Sequence, residues 1–347
     1  MKFRTVAYKG SKRKLLTDIE LIAKDIGART IFDGFSGTGI VSAYLRSQGY
    51  QVDANDISES ASVFGNVFLR GYDPYVVQDT ISLLNHLQPT EGWLTQNYSG
   101  SRKRKIRGTG GEIQERPMGY IQTNAMKLDA ARDFIETLKL EERDKNALIF
   151  SIILAADSVF NNSNDQKSSL KEWQAKSLRE VKFEAPTLVS GFEGLQYKGS
   201  ILDVDVGSYD MVYLDPPYTH GVLYESCYHL NDSIAAWNKP DLDYDYALPR
   251  PKSICFRKNG QNAGMFYNKQ TAIECFEQMA NKFDCRRLVL SYSDAPRNTL
   301  TIDELFDIFS KRGKCYIRTK DHKICTQPSS MKKISTNLKE YFIIIDT

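Results

Sequence analysis

Apolar side chains at Leu15, Leu16, Ile19, Ile22, Ala23 and Ile26 recur at helical spacing and predict a helix over 12–26, with Ser11 as N-cap and Gly27 as stop. The β-branched run 30–33 follows as a strand, then a glycine-rich turn over 34–39, a helix over 40–47 ending near Gly49, and a second strand over 51–56. Strand, glycine turn, helix, strand is a βαβ unit, which requires a parallel sheet. Strand patterns resume at 209–214 and 287–292. A helix over 302–311 stops at Gly313, and the last runs, 314–318 and 340–345, predict an antiparallel pair at one edge. The fold class is α/β.

Between 76 and 190 the pattern changes. Residues 123–139 and 141–160 are strongly helical, whereas 93–120 break down into Gly, Ser, Arg and Lys. This predicts a helical insertion with one exposed basic loop. The stretch 238–266 has mixed charge and little periodicity and reads as a long loop. The resulting organisation is a first half over 1–75, an insertion over 76–190 and a second half over 191–347.

The longest apolar stretch, 147–156, is shorter than the ~20 residues a bilayer span needs. The start lacks the apolar core of a signal peptide, so the expectation is a soluble, cytoplasmic protein without membrane contact. The balance of 46 Lys and Arg against 43 Asp and Glu excludes a polybasic or polyacidic tail protein. Six cysteines form no C-x-x-C pair and four histidines are scattered, so no metal site is expected.

Two segments carry chemistry. In Asp33-Gly34-Phe35-Ser36-Gly37-Thr38-Gly39 a strand opens into a helix through small residues, so a ligand can lie against the backbone at the helix N-terminus. The order is neither G-x-G-x-x-G nor a P-loop. Asp56, at the tip of the next strand, is placed to accept from ribose hydroxyls; its plain alternative is a helix cap. Asp215-Pro216-Pro217-Tyr218 follows the buried strand 209–214 and therefore sits at the carboxyl edge of the sheet, where open α/β sheets bind ligands. The prolines stiffen the turn and remove N–H donors. The Asp215 carboxylate and the Pro216 carbonyl form two acceptors for one –NH2 group, and Tyr218 offers a flat face. Two acceptors and a stacking ring select an amino-substituted heterocycle.

Phe35-Ser36-Gly37-Thr38-Gly39 and Asp215-Pro216-Pro217-Tyr218, in this order, resemble the S-adenosylmethionine-dependent DNA adenine-N6 methyltransferases of the Dam-like class found in restriction–modification systems and phages. Tyr8-Lys9-Gly10-Ser11-Lys12-Arg13-Lys14-Leu15-Leu16 is similar to that class's opening motif. Asn124-Ala125 with Asp129 and Arg132, Tyr228-His229-Leu230 and Leu290-Ser291-Tyr292-Ser293 are further similarities. The resemblance implies a Rossmann-like, mostly parallel methyltransferase sheet with helices on both faces and a helical DNA-recognition insertion. It implies S-adenosyl-L-methionine as cofactor, with Asp33, Phe35, Ser36, Gly37 and Gly39 in the glycine turn, Asp56 on the ribose, Asp203 near the adenine, and Tyr8 and Lys12 completing the pocket. Asp215, Pro216 and Tyr218 would hold the target adenine, flipped from double-stranded DNA. A cognate restriction endonuclease is an implied companion.

Arg102, Lys103, Arg104, Lys105 and Arg107 stand in a Gly/Ser context. In a DNA-modifying enzyme they suit phosphate contact; the plain alternative is a solvated loop. Arg250, Lys252, Arg257 and Lys258 are secondary candidates. Competing readings are a cytosine-N4 DNA, RNA-base or protein-glutamine methyltransferase, a DNA-binding module without catalysis, and a dehydrogenase. Asp at the first motif position argues for adenine over cytosine-N4 enzymes, which usually carry Ser, and glutamine enzymes, which usually carry Asn.

Overall fold

Seven strands make the central sheet: β1 (Thr30–Asp33), β2 (Gln51–Asp56), β5 (Gln196–Lys198), β6 (Tyr209–Leu214), β9 (Cys285–Ser293), β10 (Lys314–Lys323) and β11 (Asn337–Asp346). Their order is β10-β11-β9-β6-β1-β2-β5. From β5 to β9 all neighbours are parallel; β11 and then β10 add on antiparallel. The mostly parallel α/β sheet expected from the βαβ pattern is therefore present. The C-terminal pair differs in detail: both strands are longer than predicted, and only β10 lies at the edge, because the apolar β11 gains a second partner in β9.

The computed structural model describes residues 3–105, 113–162, 165–217, 224–255, 264–323 and 337–347. They group into two compact units, one of residues 10–69, 189–224 and 260–347 and one of residues 1–9, 70–188 and 225–259. Among the described residues no helix is long and apolar enough to cross a membrane.

The sheet unit has two unlike faces. Phe32, Val212, Leu214, Leu288, Leu290, Tyr292, Ile343 and Ile345 share an apolar core with Phe276 and Met279 of α10 (Lys269–Lys282) and Leu305 and Phe309 of α11 (Ile302–Ser310). The strand period of two turns the alternate residues to the other face. Register pairs Asp33 with Tyr213, Tyr213 with Val289, and Ser291 with Phe342. Asp33, Tyr213, Asp215, Ser291 and Glu340 therefore line up on that second face, at the end of the sheet where β1 and β6 finish. It is covered by a 3-10 helix (Lys12–Lys14), α1 (Leu16–Lys24) and α2 (Ile40–Ser47). Ser42 Oγ of α2 donates to Asp33 Oδ2 at 2.6 Å, and Arg287 Nη1 of β9 donates to the Ile22 carbonyl of α1 at 3.0 Å. The predicted first helix thus begins as a 3-10 turn, and Ser11 makes no side-chain cap. α3 (Glu59–Arg70) completes the βαβ layer.

The other unit contains α4 (Pro74–His86), α5 (Trp93–Tyr98), β3 (Ser101–Lys105), β4 (Ile113–Pro117), α6 (Gln122–Thr137) and α7 (Glu142–Val159). It also holds most of α8 (Tyr224–Ala236), a two-residue ladder of β7 (Leu242–Asp243) with β8 (Arg250–Pro251), and α9 (Lys252–Cys255). Two expectations need correction here. The basic segment is not a loop: Ser101–Lys105 pairs antiparallel with Ile113–Pro117. The stretch 238–266 is not wholly irregular, since β7, β8 and α9 fall within it. Buried polar residues tie this unit together. Asp129 accepts from the Leu94 and Thr95 backbone N–H groups at 2.9 and 2.8 Å, neutralising the N-terminus of α5. Arg132, 1% exposed, donates to the Ile234 and Ala235 carbonyls at the end of α8.

Candidate active site

β6 delivers Asp215 and Pro216 to the carboxyl edge of the sheet, and β1 delivers the glycine turn beside them: Gly34 N–H donates to the Tyr213 carbonyl at 2.9 Å. A Cβ on Gly34 would stand 2.6 Å from Leu214 Cδ2 and 3.0 Å from Ile201 Cδ1, so a larger residue there would have to displace these two side chains. Gly39 has φ +70° at the start of α2, and a Cβ there would meet Phe68 Cδ2 at 2.8 Å. The turn is held from the other side by β2. Ser36 N–H donates to the Asn55 carbonyl at 2.9 Å, and Asn55 Nδ2 donates to the Gly34 and Gly199 carbonyls.

Asp56 is already engaged by the chain itself. Its Oδ2 accepts from Gly37 N–H at 2.8 Å and its Oδ1 from Ser58 N–H at 3.0 Å. Its carboxylate braces the turn whether or not it also meets a ligand. Three buried acceptor atoms in and beside the turn, Asp33 Oδ1, Ser36 Oγ and Asn55 Oδ1, have no hydrogen-bond partner of good geometry among the described residues. Leaving such oxygens unpaired costs about 1–3 kcal/mol each, and their chemistry suits a ligand that brings N–H or O–H donors. Burial pushes the Asp33 carboxyl up to about 7, with Asp215 and Asp56 adding repulsion and the Ser42 hydrogen bond opposing both.

Asp215 is paired from below. Lys12 Nζ lies 2.7 Å from Asp215 Oδ1, 3.5 Å from Glu340 Oε1 and 3.4 Å from the Gly10 carbonyl. Burial raises the Asp215 carboxyl to about 6; Lys12 pulls it down and Glu340 pushes it up. Lys12 therefore sits beneath the Asp215 carboxylate, a contact that its place in the opening motif does not disclose. Glu340, 2% exposed, is a member of the site that no sequence motif marks. Its only signal is an acid two residues ahead of the apolar run 342–345 in β11.

The remaining candidates are placed as follows. Phe35 packs edge-on against Phe266, with ring centroids 5.8 Å apart. Asp203 is exposed in a turn after β5. Tyr8 belongs to the other unit, where its ring stacks on Tyr228 at 4.2 Å and 11°. Tyr218 and Arg107 lie outside the described residues, as do Arg257 and Lys258. Of the basic run, Arg102 lies in β3 opposite Arg116, with its guanidinium 4.9 Å from the Tyr244 ring centroid, and Lys103 is exposed opposite Glu115. Arg104 and Lys105 continue the same strand, in register with Gln114 and Ile113. Arg250 and Lys252 flank the β8–α9 junction, Arg250 over the Tyr246 ring.

A family model described as D12 class N6 adenine-specific DNA methyltransferase matches residues 8–310. Three curated proteins are similar over nearly their whole lengths. The type II methyltransferase M.NlaIII of Neisseria lactamica is 26% identical over 319 residues, 88% of each chain. The type II methyltransferase M.CviAII of Paramecium bursaria Chlorella virus 1 is 23% identical over 98% of each. The type II methyltransferase M2.HphI of Haemophilus parahaemolyticus is 25% identical over 90% of this chain and 89% of its own.

Proposed function

The chain belongs to the D12 class of N6 adenine-specific DNA methyltransferases and methylates adenine at specific DNA sites, and on this premise we propose that Asp215 and Pro216 hold the reacting amine while the glycine turn holds S-adenosyl-L-methionine. The observation that carries the assignment is the junction of the two segments, Gly34 N–H on the Tyr213 carbonyl, with the Lys12–Asp215 ion pair beside it.

The cofactor, when bound, supplies a methyl group on a positively charged sulfur. The protein's part is to offer acceptors to its donor groups and negative charge near its cation. Asp33 Oδ1, Ser36 Oγ and Asn55 Oδ1 are such acceptors, and Asp33 and Asp56 bring carboxylates to the same turn. In this reading Phe35, Gly37 and Gly39, members of the same turn, line the cofactor. Within the sheet unit Lys12 and Asp203 are further members of the proposed cofactor set; Lys12 reaches it through Asp215.

The adenine amine is a weak nucleophile because its lone pair is conjugated into the ring. Lys12 occupies Asp215 Oδ1, and the side chain keeps 19% of its surface open; in this reading Oδ2 accepts from the amine together with the Pro216 carbonyl. Two acceptors on one –NH2 favour a pyramidal nitrogen whose lone pair points away from the ring plane. As the nitrogen gains the methyl it becomes positive, and Asp215 stabilises that charge without being a strong base. Its carboxyl, at about 6, is ionised at neutral pH. Tyr218 supplies the stacking face that offsets part of the cost of removing the base from the duplex.

The β3–β4 hairpin is the proposed backbone-binding element. It carries Arg102, Lys103, Arg104 and Lys105 on one short strand, with Arg107 next in the chain, and a run of cations of this kind suits the DNA phosphate backbone. The type II names of the relatives support a place beside a cognate restriction endonuclease. The test is Asp215→Ala assayed for cofactor binding by calorimetry and for methyl transfer to unmethylated DNA. Binding within about threefold of wild type with transfer reduced by at least 10²-fold supports the assignment. Wild-type transfer removes it.

A further inference from the structure

Glu340 stands outside residues 8–310, the part of the chain that the family model matches, yet its side chain reaches the centre of the site. Strand β11 is otherwise apolar from 342 to 345, and a carboxylate 2% exposed in such a strand is costly unless it is paired. The cation opposite it in the ladder, Lys320, is turned to Asp18 at 3.1 Å instead. Glu340 Oε1 accepts from Ser291 Oγ at 2.6 Å and faces Lys12 Nζ at 3.5 Å. Lys12 is itself 5% exposed. An ammonium has three N–H donors, and Lys12 has acceptors on three sides: Asp215 Oδ1, the Gly10 carbonyl and Glu340 Oε1.

We propose that Glu340, oriented by Ser291, is a positioning residue for methyl transfer: it holds the Lys12 ammonium on Asp215 Oδ1, so that Oδ2 is the oxygen presented to the target amine. Glu340 touches neither substrate nor cofactor; it acts through Lys12. Without it, the buried Lys12 ammonium loses the acceptor that holds it on the Oδ1 side and can shift between the two Asp215 oxygens, so that the acceptor geometry at the amine is no longer fixed. Glu340 also fixes the charge of the cluster. The titratable groups around Asp215 are Lys12 from the 3-10 helix, Tyr213 from β6, Asp33 from β1 with Asp56 beyond it, and Glu340 from β11. Lys320, opposite Glu340, is exposed. Of these, Glu340 is the negative neighbour that also shares Asp215's lysine. Its removal as a charge makes Asp215 easier to ionise.

The inference rests on Asp215 being the acceptor for the amine, so the experiment carries Asp215→Asn as a control for that reading. Single-turnover methylation of unmethylated DNA by the full chain is measured from pH 5 to 9 for wild type, Glu340→Gln and Glu340→Ala, with melting temperature and cofactor affinity recorded for each. Glu340→Gln keeps an oxygen toward Lys12 but removes the charge. Its rate at pH 8 stays within about threefold of wild type, and the acid limb of its profile moves to lower pH by about 0.5–1 unit. Glu340→Ala drops at least tenfold in rate with KM for DNA within about twofold, and adding Lys12→Ala to it costs little more. A Glu340→Gln profile that superimposes on wild type overturns the proposal, even if Glu340→Ala fails to fold. So does a Glu340→Ala rate within twofold of wild type, or a decrease additive with that of Lys12→Ala. If Asp215→Asn retains wild-type rate, the reading of Asp215 falls first, and the proposal falls with it.

Discussion

Asp215 and Asp33 are carboxyls held where folding disfavours their charge. Burial dominates both, raising Asp215 to about 6 and Asp33 to about 7 from an ordinary value of 3.8. For Asp215, stability is unaffected below pH about 4, where folded and unfolded chains are both protonated, and is lost as pH rises through about 6. The cost at neutral pH is about 2–3 kcal/mol. Asp215→Asn is therefore expected to raise the melting temperature at pH 7.5 while abolishing transfer, and the gain should vanish at pH 4; differential scanning calorimetry at the two values checks it. Asp33→Asn should likewise be more stable than wild type above pH 7 but bind the cofactor at least tenfold more weakly, read by calorimetric titration. Residue types at these positions are legible in the sequence, because Asp-Pro-Pro after a buried strand and Asp before a glycine turn are local patterns. The pairing of Lys12 with Asp215 is not. It joins positions 203 residues apart, and Glu340 adds a third partner from 125 residues beyond Asp215.

Elements are legible where burial alternates or repeats at one period. Thr30–Asp33, Ile40–Ser47, Gln51–Asp56 and Tyr209–Leu214 have the bounds that the sequence predicts, since each has a buried face and glycine or polar punctuation. The β3–β4 hairpin escapes because Ser-Arg-Lys-Arg-Lys has no apolar face for a period of two to mark. Its partner strand, Ile-Gln-Glu-Arg-Pro, is nearly as polar. The hairpin is anchored at its base instead, through Gly100, Met118 and the buried Tyr98 and Tyr120. Changing Arg102, Arg104 and Lys105 together to Gln should lower the log–log salt slope of DNA binding by ~0.9 for each phosphate no longer neutralised. The methylated sequence should stay the same, because phosphate contacts carry no base information. An unchanged slope in fluorescence anisotropy titrations would return the hairpin to a solvated role. At the glycine turn, Gly39→Ala forces a Cβ into the left-handed region and onto Phe68, and should cost at least about 1 kcal/mol in urea unfolding.

At the scale of the whole molecule, the sheet reads as a methyltransferase from its motifs, whereas the sequence marks 76–190 as a helical insertion with a basic loop. Asp129 and Arg132, Dam-like by resemblance, are scaffold residues here: one neutralises the start of α5 and the other the end of α8. The sheet unit in turn concentrates its polar residues on one face, Asp33, Tyr213, Asp215, Ser291 and Glu340, with Lys12 set among them and the apolar core behind. That arrangement makes one chemical claim, that an ionised Asp215 accepts from an adenine amine. The most direct test incubates unmethylated plasmid DNA with S-adenosylmethionine and either wild-type protein or Asp215→Asn, then maps every modified base by single-molecule sequencing. The account predicts N6-methyladenine at one sequence motif with wild type and no modification with Asp215→Asn. N4-methylcytosine in the wild-type map, or an undiminished adenine signal with Asp215→Asn, would contradict it.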